Sequence, residues 1–234
     1  MSNVQVPPSG GTTGGTIDFG RPFTFVFQDP DWLKKILIGG LVSLLSIVLI
    51  GIFFIFGYSA RLVRNVVAGS PRPLPEWDRW GEDFAEGAKL FFIMVIYYIP
   101  VIVIFGIGIG GAAAIGGLEQ EAGGTGAAGG VMASGTMCLG WVVLLVLAIL
   151  LPAALLRAIM HQSFGAAFQF GAVFSFIGSN AVNYLLSIVV YLVGSFIAQF
   201  GVILLCVGLL FTSFWAQVIT AYAFADTYRL SPVK

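Results

Sequence analysis

Apolar runs long enough to cross a lipid bilayer dominate this chain and are separated by shorter polar stretches. The runs cover about residues 36–60, 88–112, 136–156, 181–199 and 202–225. A helix rises about 1.5 Å per residue, so about 20 apolar residues cross a hydrocarbon core of roughly 30 Å. The pattern predicts an all-α, polytopic helical membrane protein with about five transmembrane segments, in a single membrane domain over residues 19–229.

The first apolar segment allows two topologies. Lys34 and Lys35 precede it, and Arg61 and Arg64 follow it, so the excess of basic residues on cytoplasmic loops does not favour one orientation of a crossing helix. A crossing helix would place the N-terminus outside, whereas a re-entrant hairpin bent near Gly51 would keep it inside. Because the run contains no break, we favour five crossings over the hairpin.

The residues ahead of this segment predict three local structures. Residues 1–18 are rich in Gly, Pro and Thr, which predicts a flexible tail. Phenylalanines alternate over residues 19–27, which predicts a short extended segment. Asp29 and Pro30 then predict a helix start, with Asp29 as the N-cap and Pro30 at the first helical position. At the other end, residues 230–234 form a short C-terminal tail.

Two further patterns concern helix surfaces. Trp77, Trp80 and Phe84 recur at three- and four-residue spacing, which predicts a short amphipathic helix in the membrane interface over about 75–87. Small residues four apart predict close helix packing, and they occur at Gly106 with Gly110 and at Gly194 with Ala198.

Charge is scarce and is confined to short stretches between the apolar runs. Only 9% of the residues are charged, and 11 basic residues balance 11 acidic ones, so the charge gives no argument for a nucleic-acid partner. The loop over residues 119–135 contains no Lys or Arg, whereas residues 61–89, Arg157 and the tail with Arg229 and Lys234 hold most of the basic residues. We therefore expect a multi-pass protein with a cytoplasmic C-terminus and, since the first thirty residues lack a basic stretch followed by an apolar one, no cleavable signal peptide.

The residue types that carry chemistry are few and isolated. His161, the only histidine, has no second metal-ligand or triad partner nearby in the sequence. Cys138 and Cys206 lie in different apolar runs, as expected of small buried apolar residues rather than of a disulfide or a metal site. The sequence therefore predicts no catalytic, cofactor-binding or metal-binding residues and no cofactor.

Two groups of polar and aromatic residues are candidates for contacts instead. At the membrane boundary, contact with lipid headgroups or a partner protein is expected of Arg61, Arg64, Trp77, Arg79 and Trp80. For Arg61 and Arg64, pairing with Glu76 or Asp78 is the alternative. Within the membrane, hydrogen bonding between helices is expected of Asn183, Gln199, Gln217 and Asp226, and a permeation lining is the alternative role for the last two.

Short motifs across the chain carry a family resemblance. They are Phe25-x-Phe27-x-Asp29-Pro30-x-Trp32, Gly57-Tyr58 with Arg61 and Arg64-Asn65, Leu74-Pro75-Glu76-Trp77, Gly87-x-Lys89, Gly165-Ala166-Ala167-Phe168 with Phe170, Asn180 with Tyr184-Leu185, and Phe211-Thr212-Ser213-Phe214 through Gln217 to Tyr228-Arg229. With these motifs, over about residues 23–229, the chain resembles the prokaryotic family catalogued as domain of unknown function 4013. The resemblance implies an integral membrane protein of bacteria or archaea, hence of the cytoplasmic (inner) membrane, with no established activity and no site residues.

Three classes of function compete. We favour a non-enzymatic structural or accessory subunit, whose partners are the lipid bilayer and other membrane proteins or further copies of this chain. The alternative is a transporter or channel for a small solute or a lipid, which broken, glycine-rich helices would suit. An enzyme is disfavoured, because proton transfer needs a positioned acid or base and only Asp226 approaches membrane depth.

Overall fold

The chain is mostly helical in the computed structural model, which describes residues 15–122, 125–203 and 207–233. Eight α-helices occur in these residues, and no strand does. Their bounds are α1 Arg21–Thr24, α2 Trp32–Leu44, α3 Ile50–Val67, α4 Trp80–Glu121, α5 Ala127–His161, α6 Phe170–Ser179, α7 Ala181–Gln199 and α8 Val207–Leu230. Short 3₁₀ helices lie at Phe25–Gln28, Leu45–Val48, Gly165–Phe168 and Phe200–Ile203.

Five helical segments are long and apolar enough to cross a membrane. They are Ile50–Val67, Trp80–Glu121, Ala127–His161, Ala181–Ile203 and Gly208–Leu230, with mean hydropathies between 1.3 and 2.8. The predicted helical membrane class is confirmed, and the predicted fourth segment coincides with α7. Helices α4 and α5 extend well beyond their predicted bounds and continue through Pro100 and Pro152.

The first apolar segment is not the single continuous helix that we favoured. Helix α2 ends in the 3₁₀ turn Leu45–Val48, and Leu49 then adopts a left-handed conformation with φ of 65°. The Leu49 N–H donates to the Ser46 carbonyl at 3.0 Å. Helix α3 returns beside α2, since a Cβ built on Gly51 would lie 2.3 Å from the carbonyl oxygen of Val42. The chain therefore folds back on itself near Gly51.

The amphipathic helix predicted over residues 75–87 does not form a separate element. Helix α4 begins at Trp80 and continues without interruption to Glu121. Its first turns pack directly on α3, where a Cβ built on Gly87 would lie 1.6 Å from the carbonyl oxygen of Phe53. This backbone contact holds the aromatic turns in line with the membrane helix, so they do not form a helix of their own.

The N-terminal region is helical where we predicted an extended segment. Residues 21–28 form α1 and a 3₁₀ turn, and Phe25 stacks on Tyr222 of α8 with ring centroids 4.2 Å apart. Helix α2 begins at Trp32, so the predicted N-cap is two residues early, because the Asp29 carboxylate instead accepts the N–H of Asp31 at 2.9 Å.

The predicted N-terminal tail lies mostly outside the described residues, but its last part is anchored. Ile17 is buried, and its N–H donates to Oδ1 of Asn183 at 3.0 Å. The Asn183 amide also donates to the Gly15 carbonyl at 3.0 Å. In the C-terminal tail, Ser231 is likewise buried and accepts a hydrogen bond from the Asn180 amide at 2.7 Å.

The chain divides into two compact units. Unit 1 comprises residues 1–91 and 153–234 and contains α1–α3, the start of α4, the end of α5 and α6–α8. Its helices pack closely where small residues allow, as on α7, where Gly194 and Ala198 are buried as the spacing predicted. Phe214 of α8 fills the space beside Gly39 of α2, where a Cβ would lie 2.1 Å from its ring.

Unit 2 comprises residues 92–152 and is a hairpin of α4 and α5. A Cβ on Gly108 would lie 2.1 Å from the Thr136 side chain, and one on Gly140 would lie 2.3 Å from the Phe105 ring. By contrast, a Cβ on Gly106 or Gly110 would meet no atom within 4 Å. The packing predicted for that pair is therefore not made within the described chain, and Cys138, predicted to be buried, is exposed. Cys206 lies outside the described residues.

Candidate functional site

Opposite charges gather in unit 1 where α2, α3 and the start of α4 meet the loop that joins the last two. We call this group the charged cluster; it consists of Asp29, Lys35, Arg61, Arg64, Glu76, Asp78, Asp83 and Glu86. The cluster lies toward the C-terminal end of α3, so Arg64, in the last turn of that helix, also faces the negative end of its dipole.

Lys35 lies between two carboxylates and is buried. Its Nζ lies 2.7 Å from Asp29 Oδ2 and 2.7 Å from Glu76 Oε1, and it donates to the Leu74 carbonyl at 3.1 Å. Asp29 is buried as well, with 5% of its surface exposed. All three donor sites of the ammonium group are thereby used, and the start of α2 is fixed to the loop after α3.

Arg61 makes the largest set of contacts. Its guanidinium lies against both carboxylate oxygens of Asp83, with Nε to Oδ1 and Nη2 to Oδ2 both at 2.7 Å. Nη1 donates to Asp78 at 2.9 Å and Nη2 to the Glu76 carbonyl at 2.6 Å. Asp83 is only 1% exposed, so its ion pair with Arg61, which includes the hydrogen bond from Nη2 to Oδ2, compensates the buried carboxylate for lost water.

Arg64 forms a bidentate pair with Glu86 of α4. Its Nη2 donates to Oε2 at 2.9 Å, and its Nη1 contacts Oε1. Arg79 behaves differently, because it is largely exposed and reaches only Glu82, at 3.4 Å. Of the three arginines predicted to contact lipid headgroups or a partner, two are therefore committed to carboxylates of the same chain, as our alternative of pairing with acidic residues anticipated.

Stacked aromatic rings form a layer beside the charged cluster. Tyr58 and Trp77 stack with ring centroids 4.3 Å apart, and Trp77 stacks on Trp80 at 5.2 Å. The Tyr58 hydroxyl donates to the Pro75 carbonyl at 3.0 Å, and the Trp77 indole donates to the Lys35 carbonyl at 3.0 Å. Trp77 therefore holds protein groups together, whereas Trp80 is 41% exposed and remains available at the surface.

Two glycines bring the backbones of α3 and α4 into contact below the cluster. A Cβ on Gly57 would lie 1.9 Å from the carbonyl oxygen of Asp83, and the corresponding contact of Gly87 is with Phe53. Because backbone atoms cannot swing aside as side chains can, only glycine fits at both positions. This close approach places Asp83 and Glu86 within reach of the arginines one and two turns further along α3.

Two groups of the cluster that lie outside the membrane-spanning helices have shifted pKa values. Burial lowers the pKa of Lys35, but its hydrogen bonds to Asp29 and Glu76 outweigh that effect, and the pKa lies above its usual 10.5. The hydrogen bond from Arg61 lowers the pKa of the Asp78 carboxyl below its usual 3.8. Both shifts favour the charged forms of Lys35 and Asp78 at neutral pH.

A pocket of about 430 Å³ opens beside these pairs. It is lined by cluster residues and by Asp31, Asn65, Arg72, Leu74, Pro75, Arg79 and Glu82. It contains neither a cysteine nor a histidine, and no group of three metal-ligand side chains occurs anywhere in the described residues. Arg72 has no ion-pair partner among the described side chains. The pocket offers charge and hydrogen bonding but no nucleophile activated by a base.

The intramembrane polar residues are divided in their roles. Asn183 anchors the N-terminal segment, as described above, and its carbonyl accepts from Thr227 of α8 at 3.1 Å. Asp226 is buried and pairs with Arg229 on the same helix at 2.7 Å. Gln217 is half-buried, whereas Gln199 is exposed at the end of α7. The hydrogen bonding between helices expected of these side chains is therefore not observed for Asn183, whose side chain bonds the N-terminal segment, and the Asp226 ion pair stays within α8.

Sequence reasoning missed two members of this interhelical bonding and one of the cluster. Ser187 donates to the Ala223 carbonyl at 3.0 Å and lies 2.8 Å from the Thr227 hydroxyl. Lys35 was treated only as a flanking positive charge. Hydroxyl groups on apolar helices give little signal by themselves. The carboxylate partners of Lys35 are 6 and 41 residues away in the chain, so their pairing with Lys35 had no local signal in the sequence.

The comparisons with known proteins identify a family and no function. A model of the family described as "Protein of unknown function (DUF4013)" matches residues 41–207, more than two thirds of the chain. No curated protein and no solved structure matches. The predicted family is therefore confirmed.

Proposed function

Since the chain belongs to the DUF4013 family, whose description assigns no activity, we propose from its own geometry that it is a non-enzymatic structural or accessory subunit of a membrane assembly. Its partners in this proposal are the lipid bilayer and either a second copy of the chain or another membrane protein. Nucleic acid is not a partner, and no cofactor is used.

The single observation that carries the proposal is that the charged side chains of the cluster pair with one another. Lys35, Arg61 and Arg64 each contact carboxylates of the same chain, and Asp83 is almost completely buried by its arginine. A catalytic acid or base must reach a substrate proton, whereas these groups are already paired and fixed. Such pairing fixes the arrangement of α2, α3 and α4 and suits a rigid structural part.

The hairpin of unit 2 supplies a surface that fits a helical partner. Its outward side chains are large and apolar, including Ile102, Ile107 and Trp141, each more than 60% exposed. The open positions Gly106 and Gly110 lie one turn apart on α4. Small residues at this spacing allow another helix to approach closely in lipid, where van der Waals contact replaces the hydrophobic effect as the driving force.

The test measures assembly in mild detergent and in lipid nanodiscs. We expect the full chain to migrate as a species larger than one copy, and the double variant Gly106→Leu/Gly110→Leu to release the single copy without a loss of helicity. Gly171→Leu is the matched control, because Gly171 also has no atom within 4 Å of a built Cβ but lies on α6 of unit 1. Recovery of the unaltered chain as a lone monomer would contradict the proposal.

A transporter or channel is the second candidate, favoured by the polar pocket at the charged cluster. The residues whose alternative role was to line a permeation path, Gln217 and Asp226, do not line this pocket. The test measures uptake of small solutes by proteoliposomes that contain the protein. If Gln217→Leu abolishes this uptake and Gly106→Leu/Gly110→Leu does not, transport is favoured over the structural role.

We also propose the location, for which the five apolar helices and the basic residues of the loops are the support. The protein lies in the cytoplasmic (inner) membrane of a prokaryote, with the loop between α3 and α4 and the C-terminus on the cytoplasmic side. A reporter enzyme active only in the cytoplasm, fused at Lys234, should be active, and an inactive but full-length fusion would contradict this orientation.

A further inference from the structure

Helices α2 and α3 form a hairpin in which the start of α2 lies beside the loop that follows α3. The start of α2 is joined to the loop after α3 by the contacts of Lys35 with Leu74 and Glu76. The Trp77 indole adds a third connection, to the Lys35 carbonyl. These bonds join residues about forty positions apart, so the chain enters and leaves the hairpin on the same side.

The other end of the hairpin is a tight turn without any charged residue. The turn consists of Leu44–Ile50, which we call the hairpin tip, and contains one polar side chain, Ser46. Large apolar side chains point outward there: Ile47 is 80% exposed, Val48 61% and Leu49 57%. A surface of this kind is costly in water, at roughly 25 cal/mol per Å², but is suited to hydrocarbon.

The depth of the hairpin follows from its helix lengths. From Lys35 to the tip, ten α-helical and four 3₁₀ residues span about 23 Å. From Arg61 back to Ile50, twelve α-helical residues span about 18 Å. Both distances start at the charged cluster and are upper limits if the hairpin is tilted. Both are shorter than the hydrocarbon core of roughly 30 Å.

We propose that α2 and α3 form a re-entrant hairpin, which enters the bilayer from the side of the charged cluster and ends inside the hydrocarbon, with the hairpin tip in contact with lipid acyl chains. The turn suits that medium, because Leu49 alone separates the 3₁₀ turn from α3 and few backbone groups are left without a helical partner. The depth of the hairpin and the absence of charged residues at its tip favour lipid, rather than a protein, as the surroundings of the tip.

The hairpin changes the topology of the whole chain. If it does not cross, the remaining long helices α4, α5, α7 and α8 make four crossings, and both termini lie on one side of the membrane. Five crossings would separate the termini. The assay below does not depend on assembly, so its failure and the failure of the proposed subunit role are distinguishable.

Cysteine labelling in cells and in inverted membrane vesicles tests the sidedness of the hairpin. In a background with Cys138→Ser and Cys206→Ser, single cysteines replace Lys34 before the hairpin, Ala68 after it and Glu121 at the end of α4, all of them exposed positions. An impermeant maleimide should label positions 34 and 68 from the same side and position 121 from the opposite side. Labelling of positions 34 and 68 from opposite sides would overturn the proposal.

A second measurement separates a re-entrant hairpin from one that crosses twice. A fluorophore on Ile47→Cys should be quenched most strongly by lipids brominated deep in the acyl chains, and the same fluorophore on Ala68→Cys should not. If position 47 instead reacts with the impermeant maleimide from the side of position 121, the hairpin reaches the far surface and the proposal is wrong.

Discussion

At the scale of single residues, Lys35 shows how a charge can be held within an apolar protein. Its ammonium group is buried, but each of its hydrogen atoms has an acceptor, and two of the acceptors are carboxylates. Removing one partner of a buried pair typically costs 3–5 kcal/mol, because the other charge is left without compensation.

Lys35→Met should therefore destabilise the protein by about 3 kcal/mol, seen as a fall in the thermal midpoint in detergent. Lys34→Met is the matched control, because Lys34 is exposed and adjacent, and it should change the midpoint little. Adding Asp29→Asn to Lys35→Met should recover part of the loss, since it removes the orphaned carboxylate. Equal effects of the two single substitutions would contradict the role given to Lys35.

The raised pKa of Lys35 predicts where the pH dependence lies. A basic group whose pKa is higher in the folded protein adds stability that is complete below its ordinary value of 10.5 and is lost as the pH rises through the higher folded value. The difference in thermal midpoint between the unaltered protein and Lys35→Met should therefore stay constant from pH 8 to about 10 and narrow at higher pH. A gap that already narrows between pH 8 and 9 would rule out this assignment.

Gly57 and Gly87 act through the absence of a side chain. A Cβ at either position would overlap backbone atoms of the facing helix, and crowding of this kind typically costs 1–3 kcal/mol. We expect Gly57→Ala and Gly87→Ala each to lower the thermal midpoint and to weaken the pairs of Arg61 and Arg64. Gly81→Ala provides the comparison, since that position on α4 is open, and its higher helix propensity should leave stability unchanged or raised.

At the scale of elements, the left-handed conformation of Leu49 in the turn between α2 and α3 is the feature that the sequence pattern does not predict. A left-handed conformation costs a residue with a side chain roughly 1–2 kcal/mol and is normally taken by glycine. The contact of Gly51 with the Val42 carbonyl holds the turn in place. The strain is therefore outweighed by the packing of α3 on α2.

Leu49→Gly should for this reason be no less stable than the unaltered protein, although it removes a large apolar side chain. Val48→Gly, one residue earlier in the 3₁₀ turn, should be less stable by about 1 kcal/mol, because it gains flexibility without relief of strain. The thermal midpoints of the two variants in the same detergent decide the matter. A loss at position 49 as large as that at position 48 would show that the conformation is not strained.

Much of the helical pattern could be predicted from the sequence, and the exceptions have physical causes. Periodicity and length identified α7 to the residue, because polar groups at both ends mark its limits. They left a hairpin bent near Gly51 only as the alternative to a continuous helix, because no proline interrupts the run. Periodicity also predicted the aromatic residues 77–84 as part of a helix separate from α4. The backbone contacts that hold this region on α3 involve Gly57 and Gly87, which are 30 residues apart in the chain, so no local pattern indicates them.

The candidate site was predictable in its residue types but not in its pairing. Arg61 and Arg64 were identified as boundary residues with acidic residues as possible partners. Which carboxylate each would meet depends on the crossing of α3 and α4, and that crossing is decided by tertiary contacts between residues about thirty positions apart. Asp83 is buried although the residues next to it on α4 are exposed, and this burial follows from the same crossing of α3 and α4.

At the scale of the whole molecule, the two units differ in how they use their apolar residues. Unit 1 buries aromatic rings and hydroxyl groups between its helices and fixes its polar end with ion pairs. Unit 2 contacts itself through small residues and leaves its large side chains outward. This division matches a rigid part and an associating part, as the proposed subunit role requires.

The length of α4 has a consequence for the membrane in which the protein resides. From Leu90 to Leu118 this helix has 29 residues without a charge, about 43 Å at 1.5 Å per residue, while a typical bilayer offers roughly 30 Å. Such positive hydrophobic mismatch is relieved by leaning the helix or by recruiting lipids with longer tails. Bilayer thickness therefore affects the orientation of α4. A thin membrane would increase the tilt of this helix, and a thick membrane would reduce it.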